Sequence, residues 1–267
     1  MESFDSYRGA PGSEPDVPSA ARIYDYDLGG DHHFAVDREA AERIHRALGS
    51  GPQVARDNRA FLRRAVRFGL DCGIDQFLDL GSGIPIAANV HEIAHERNPD
   101  ARVAYVDNDP LAVARTRQLL TTWGLGDRVS IVDADVRDPD VVLAAPAVRD
   151  LDLGRPTALL MMAVLHHVGP EHDLAALVGR YTRQLAPGSV VALSHAAAEP
   201  GESASAGALA GAAAPAVLRT RAEIIALVAS LGLDLVEPGV VQAADWRPDQ
   251  EVEDPSRSRC WAAVAVV

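Results

Sequence analysis

Asp79-Leu80-Gly81-Ser82-Gly83 places a carboxylate two residues ahead of a Gly-x-Gly turn, and a second acid, Asp107, closes the apolar stretch 103–107. Glycines at that spacing let a ligand approach the backbone, and an acid at the end of the following strand can receive ribose hydroxyls. The ligand expected from this pairing is an adenosine compound. Asp79 narrows the choice, because a carboxylate beside a diphosphate repels it and beside a cation attracts it. A dinucleotide fingerprint also wants Gly or Ala three residues after the second glycine, where this chain has Ile86. A lone Gly-x-Gly can equally be a structural turn, so the weight rests on the ordered set.

Two further groups follow. Leu165-His166-His167-Val168-Gly169 ends an apolar run over 157–164, at the carboxyl end of a strand where open α/β sheets keep their ligand crevice. Imidazole accepts a proton near neutral pH, so His166 and His167 are the first candidates for a general base or a substrate positioner, with Tyr24 and His33 behind them. The competing reading has one imidazole lining the ligand and the other packed under the next helix. The second group, Asp133-Ala134-Asp135-Val136-Arg137-Asp138, is an acid cluster for which a hard cation is the rival ligand. Asp138 before Pro139 reads instead as a helix cap, and no metal ligand is assigned.

The elements that must position these residues are legible as apolar periodicity. Strands are expected at 77–80, 103–107, 129–132, 157–164, 190–194, 233–236 and 260–267, the last two as an antiparallel hairpin joined through 242–259. Helices are expected at 37–48, 56–68, 84–97, 110–122, 173–185 and 221–231. Pro85 would occupy the first turn of the 84–97 helix, and Leu111, Val113, Ala114 and Leu119 would be the buried side of the 110–122 helix. The segment 199–216 is rich in Ala, Gly and Ser and reads as a loop or short helix over the substrate. Trp246-Arg247-Pro248 is a candidate to reach the active-site side.

Composition limits the partners. A chain of 267 residues can bury one substantial core, and a net charge of −13 argues against a polyanionic partner such as nucleic acid. Cys72 and Cys260 are the only cysteines, both in apolar sequence, and imply reduced thiols rather than a disulfide. No leader or membrane-spanning apolar run is present, so a cytoplasmic protein without a membrane partner, monomeric or homodimeric, is expected. High Ala, Arg and Asp with very little Lys is associated with a GC-rich bacterial source.

Asp79-Leu80-Gly81-Ser82-Gly83 resembles the acid-x-Gly-x-Gly motif of class I S-adenosylmethionine-dependent methyltransferases. The stretch from Arg22 through Tyr24-Asp25-Tyr26, Gly29-Gly30, Phe34 and Asp37-Arg38, with Asp57 to Val66 beyond it, resembles the N-terminal signature of an actinobacterial S-adenosyl methyltransferase family of undefined substrate. That signature has Lys-Asp after the glycines where this chain has Asp31-His32, and an apolar residue at Asp27.

The resemblance implies an α/β fold, a Rossmann-like doubly wound seven-stranded mixed sheet of order 3-2-1-4-5-7-6 with an N-terminal helical extension. Composition rich in Gly, Pro, Ser and acid makes 1–17 a disordered tail, and the resemblance implies a helical cap or lid at 18–70 and an S-adenosylmethionine-binding methyltransferase domain at 71–267. It places the cofactor's methionine end on Asp79, Gly81, Ser82 and Gly83, its ribose on Asp107 beside Asn108, its adenine on Asp135 and Val136, and Ala163 in the same lining. Tyr24, Tyr26, His33, Phe34, Asn58, Arg59 and His167 are the substrate-side candidates. For the aromatics, the bland reading is that Tyr24, Tyr26 and Phe34 staple a helix onto the sheet. The implied reaction is methyl transfer to an O, N, S or C nucleophile of a small molecule, in secondary metabolism. A non-catalytic S-adenosylmethionine-binding regulator is the alternative from another class, and a nicotinamide reductase is disfavoured by Asp79 and Ile86.

Overall fold

The computed structural model describes residues 16–49, 51–86, 88–198, 216–250, 254 and 258–267. Most of the expected tail and most of the 199–216 segment therefore lie outside the described residues.

Five parallel strands, β1 (Gln76–Leu80), β2 (Arg102–Asp107), β3 (Val129–Asp133), β4 (Ala158–Met161) and β5 (Val190–Ala196), form one side of a mixed sheet. Two-residue strands β6 (Asp234–Leu235) and β7 (Val241–Gln242), and the long β8 (Cys260–Val266), complete it; β8 runs antiparallel to β5, β6 and β7. The order is β3-β2-β1-β4-β5-β8-β6, with β7 paired to β8. This is the expected arrangement with one short strand added inside the last hairpin.

Parallel strands covered on both faces read as continuous apolar runs, and every residue of β1 is buried. Successive side chains alternate between faces. Phe77 packs with Phe61 and Leu62 of α3 (Gln53–Asp71) and with Val90 and Ile93 of α4 (Val90–His95). Leu78 and Leu80 face the other way, in the core that holds Val142 of α6 (Pro139–Ala144), Val148 of α7 (Pro146–Arg149), Tyr181 of α8 (Leu174–Thr182) and Ile224 of α9 (Arg221–Ser230). The same alternation turns Asp79 toward α3.

Four expectations are corrected. The helix expected over 84–97 is only α4, because Asn89 ends the irregular stretch before it: the Asn89 backbone N–H donates to Glu92 Oε2 at 2.7 Å in a capping box, and Ala88 before it has φ 61°. Pro85 thus lies in the loop. On α5 (Pro110–Trp123) the buried residues are Ala112, Val113, Thr116 and Leu120, so the inward face is rotated from the expected one. Trp246 is not at the active-site side; it is buried edge-on against Phe61 (5.5 Å) and Phe68 (5.8 Å). Of the two thiols, Cys260 is buried as expected, and Cys72, at the end of α3, is exposed.

The N-terminal signature builds a clamp. Asp37 on α2 (Ala35–Leu48) is fully buried and accepts from Arg22 Nε (2.8 Å), from the Ser19 amide (2.9 Å) and from the Phe34 amide (2.8 Å), tying α1 (Ala20–Asp27) to α2. Arg22 also donates to the Val17 carbonyl at 2.6 Å and faces Asp109 at 3.9 Å. The Ser19 hydroxyl donates to that same Asp109 carboxylate, which caps α5 by accepting from the Leu111 and Ala112 amides. Asp25 gathers the turn between the two helices: it accepts from the His32 amide at 2.8 Å, and a Cβ on Gly30 would stand 2.1 Å from its Oδ1. Of the signature's paired glycines, Gly30 is there because a carboxylate fills the space, and Gly29 because its backbone is left-handed, φ 78°.

Removing one partner of a buried pair leaves an uncompensated charge, which costs about 3–5 kcal/mol, whereas exposed pairs contribute about 0–1 kcal/mol. Asp37→Asn is expected to lose stability in the former range by urea unfolding. Asp71→Asn, which breaks the exposed Arg97–Asp71 pair, is expected to stay within about 0.5 kcal/mol of the parent. Equal losses in the two variants would show that the clamp does not hold α1 on α2.

Candidate functional site

The turn after β1 is built around two glycines in the left-handed region, Gly81 (φ 75°) and Gly83 (φ 69°). Gly81 has a second constraint, since a Cβ there would stand 2.4 Å from Val164 Cγ2 at the exit of β4. The Gly81 and Ser82 amides donate to the Val106 carbonyl at 2.8 and 3.1 Å, which draws the turn against the end of β2. Gly83 donates its amide to Asp107 Oδ2 at 2.7 Å, and Asp109 donates to Asp107 Oδ1 at 2.8 Å. Each Asp107 oxygen retains a lone pair, enough to receive a vicinal diol. Burial raises the Asp107 pKa, opposed by those two amides.

Asp79 lies one strand over, 5% exposed, and accepts no hydrogen bond from any described residue. Burial pushes its pKa up to about 7, Arg59 on α3 pulls it down, and Asp107 adds to the rise. Arg59 is itself anchored by a 2.8 Å bond from Nη2 to Asn89 Oδ1. Nearby, the buried Ser82 hydroxyl has no partner among the described residues, and nothing stands within 4 Å of where a Cβ on Gly83 would be. An unpaired carboxylate, an unpaired hydroxyl and open space over a glycine are what a cationic ligand crossing this turn would need.

Asn108 and Asp135 are brought together by the register of β2 on β3: Asn108 Nδ2 donates to Asp135 Oδ2 at 2.9 Å. Arg137 also donates to Asp135 through its amide (2.8 Å), Nε (2.9 Å) and Nη2 (2.5 Å), and these bonds hold the carboxyl pKa low. Any further donor to Asp135 must share with or displace one of these four. The Val136 carbonyl accepts from the Tyr181 hydroxyl of α8 at 2.7 Å, which fixes the backbone at that corner.

His166 and His167 form a short 3-10 turn just after β4, with ring centroids 4.1 Å apart. A third imidazole absent from the sequence-derived candidates, His195 at the end of β5, meets His166 edge-on at 5.7 Å. Arg219 Nη1 lies 2.7 Å from His195 Nε2 and the Ala196 carbonyl 2.9 Å from its Nδ1, so Nδ1 carries the proton and Nε2 accepts. Burial lowers all three: His167 to about 4, His195 to about 3, and His166 well below its ordinary value. The Nδ1 atoms of His166 and His167 are buried without a partner among the described residues.

The remaining candidates divide. Tyr24 and Asn58 meet: Asn58 Nδ2 donates to the Tyr24 hydroxyl at 2.9 Å, which donates to the Ala55 carbonyl at 3.2 Å. Ser194, also missed from sequence, donates to Asn58 Oδ1 at 2.6 Å and accepts from the Ala163 amide at 2.8 Å. Tyr26, His33 and Phe34 make their polar and ring contacts among α1, α2 and the turn between them, Tyr26 with His33 and Glu42, His33 with Asp25, and Phe34 with Arg22. Buried polar residues separated by long stretches of chain leave no periodic signal, which is why Ser194 and His195 were not legible.

A model of a family described as S-adenosyl methyltransferase matches residues 11–267. The crystal structure of a candidate methyltransferase from Thermobifida fusca is 36% identical, with a TM-score of 0.84 over 94% of this chain and 95% of that one. A DUF574-family protein from Streptomyces avermitilis is 38% identical, with a TM-score of 0.84 over 94% and 97%. At 20% identity and a TM-score of 0.52, over 88% and 92%, 1,6-didemethyltoxoflavin-N1-methyltransferase from Burkholderia thailandensis shares the fold. No functionally curated protein matches the chain.

The Asp79 pKa has a sign that can be tested. Raised from 3.8 to about 7, it means the native state keeps a proton the unfolded chain has released, so stability falls as pH rises through that window. Asp79→Asn removes the titration. The ligand-free variant is expected to unfold at a higher temperature than the parent at pH 8, by an energy on the order of 4 kcal/mol at most, with the gap closing toward pH 4. A gap that is flat with pH would refute the desolvated carboxylate.

Proposed function

The chain belongs to the S-adenosyl methyltransferase family, whose cofactor is S-adenosylmethionine, and we propose that it transfers the methyl group to an O, N, S or C nucleophile of a small molecule. The observation that carries the reading is Asp79, a buried carboxylate with no hydrogen-bond partner among the described residues, set against a glycine turn. Such a group favours a cation over a diphosphate.

In this reading Asp79 holds the α-ammonium of the donor, and Gly81, Ser82 and Gly83 follow the rest of its methionine end. Asp107 takes the ribose diol, with Asn108 at its side, and Asp135 with the Val136 amide takes the adenine. Ala163 lines the methionine end from β4. Residues 18–70 act as a cap over this face, tied down through Asp109, and 71–267 form the catalytic domain. The donor supplies a methyl on a positively charged sulfur, already activated for displacement. What the chain adds is alignment of the acceptor and exclusion of water.

His166 and His167 stand on the acceptor side. At neutral pH both are uncharged, since burial lowers them, and a base that weak suits an acceptor that is nucleophilic on arrival. Tyr24 is a poorer candidate for proton transfer, because burial pushes its hydroxyl up to about 12 and its proton already goes to Ala55. Arg59, beside Asp79, and Asn58 belong to the wall between donor and cap. Nucleic acid does not suit a net charge of −13, no described helix is long and apolar enough to cross a membrane, and a cytoplasmic monomer or homodimer acting in secondary metabolism fits the rest.

Titration calorimetry tests the donor site. S-adenosylhomocysteine is expected to bind with Kd on the order of micromolar and NAD not at all, with Asp107→Ala weakening the former at least about tenfold. In a small-molecule extract, S-adenosylmethionine is expected to be converted to S-adenosylhomocysteine, more slowly by His167→Ala. Uptake of NAD without S-adenosylhomocysteine would overturn the reading, and binding of intact donor without turnover would make the chain a sensor.

A further inference from the structure

Ala163 is a non-glycine residue in the left-handed region, φ 52°, at the exit of β4. Its amide donates to Ser194 Oγ on β5, 2.8 Å away. Because that bond uses the serine as acceptor, the serine proton is free to go to Asn58 Oδ1, at 2.6 Å. This orients the Asn58 amide, whose Nδ2 then donates to Tyr24 on α1 at 2.9 Å, and the tyrosine proton ends on the Ala55 carbonyl at 3.2 Å. Only one direction of donation satisfies all four links. Ser194 is fully buried and Asn58 is 3% exposed, so water does not substitute for a missing member. The chain begins in the cap and ends on the backbone that faces the glycine turn, since Val164, next to Ala163, is what a Cβ on Gly81 would strike.

We propose that Tyr24, Asn58 and Ser194 are positioning residues: with the cap docked, they hold Ala163 in its left-handed conformation and so shape the β4 side of the donor site. The inference rests on the reading above, in which Ala163 lines the donor's methionine end. It assigns Ser194 a role that no catalytic or ligand contact would reveal, and it reassigns Tyr24 and Asn58 from the acceptor to the scaffold of the donor site. A chain that merely satisfied buried polar groups would stabilise the fold without linking a tyrosine in the cap to the backbone after β4. The tyrosine's raised pKa is in keeping with a hydroxyl that keeps its proton.

Two readouts on the full chain test this, S-adenosylhomocysteine affinity by calorimetry and hydrogen exchange of the peptide covering 161–165. Ser194→Ala is expected to weaken binding about tenfold and to speed exchange about tenfold, and Tyr24→Phe, two links away, to move both in the same direction by about threefold. Adding Ala163→Gly to Ser194→Ala is expected to restore affinity to within about twofold, because glycine adopts positive φ without help. Parental affinity in Ser194→Ala would overturn the proposal, as would failure of the glycine to rescue it. If Ser194→Ala does not fold, Tyr24→Phe decides alone: unchanged exchange at 161–165 refutes the relay. Should the parent itself bind no S-adenosylhomocysteine, the proposed function falls, and the relay still stands or falls on whether Tyr24→Phe speeds that exchange.

Discussion

One carboxylate joins the parts of this molecule that must move as a unit. Asp107 takes an amide from the glycine turn on one oxygen and an amide from the start of α5 on the other. Asp109, which supplies the second amide, spends its own carboxylate on capping α5 and on Ser19 of the cap. The turn after β1, the end of β2, the first turn of α5 and the start of α1 are therefore positioned by two acids two positions apart. A charged hydrogen bond is stronger than a neutral one, and a buried acid satisfied by backbone amides tolerates little displacement. The geometry of the glycine turn and the attachment of the N-terminal helices are parts of one network.

That solution concentrates negative charge. Asp79, Asp107, Asp109 and Asp135 all lie at the carboxyl end of the parallel strands, and the sequence offsets them unequally. Asp109 has Ser19 and Arg22, and Asp135 has Arg137 in two-pronged contact. Asp107 has backbone amides, which stabilise the charge without neutralising it. Asp79 has only the field of Arg59, and burial lifts it to about 7. The least compensated acid is the one in front of the glycine turn, so the ligand-free protein carries an electrostatic cost at that spot which a cation relieves. This is a site whose stability and function pull in opposite directions.

How much of this was legible depended on whether the signal was local. The five parallel strands, the glycine turn and the acid after β2 are contiguous motifs, and the structure holds them where the spacing indicated. The N-terminal signature was also readable, but its meaning was not: Arg22, Asp25, Gly30 and Asp37 are chemically rich residues that serve as scaffolding. The failures share a cause. Asn89 overrode the periodicity of 84–97 by capping α4 late, and Trp246 is placed by Phe61 and Phe68 in a helix far away in sequence. Ser194 meets Asn58 across 136 positions, and His195 is recognisable only through His166 and Arg219. Period and propensity report what a segment does alone; these residues are defined by what the sheet brings to them.

The histidines show how placement sets chemistry. His166 touches the rings of both His167 and His195, and three charged imidazoles there would repel; burial is the largest cause that keeps each unprotonated near neutrality, with neighbouring charge adding to it at His166 and His195. Arg219 reinforces this by donating to His195 Nε2, so a proton arriving there would face a guanidinium. A proton held by His166 or His167 would be a cation in surroundings that have already excluded one. In the proposed reaction, imidazoles so placed can orient an acceptor through a lone pair but gain little from removing its proton. With a donor already charged at sulfur, rate must then come from holding two reactants in line in a closed space, and that is the task we assign to the N-terminal helices, the clamp at Asp109 and the rigid turn at Gly81.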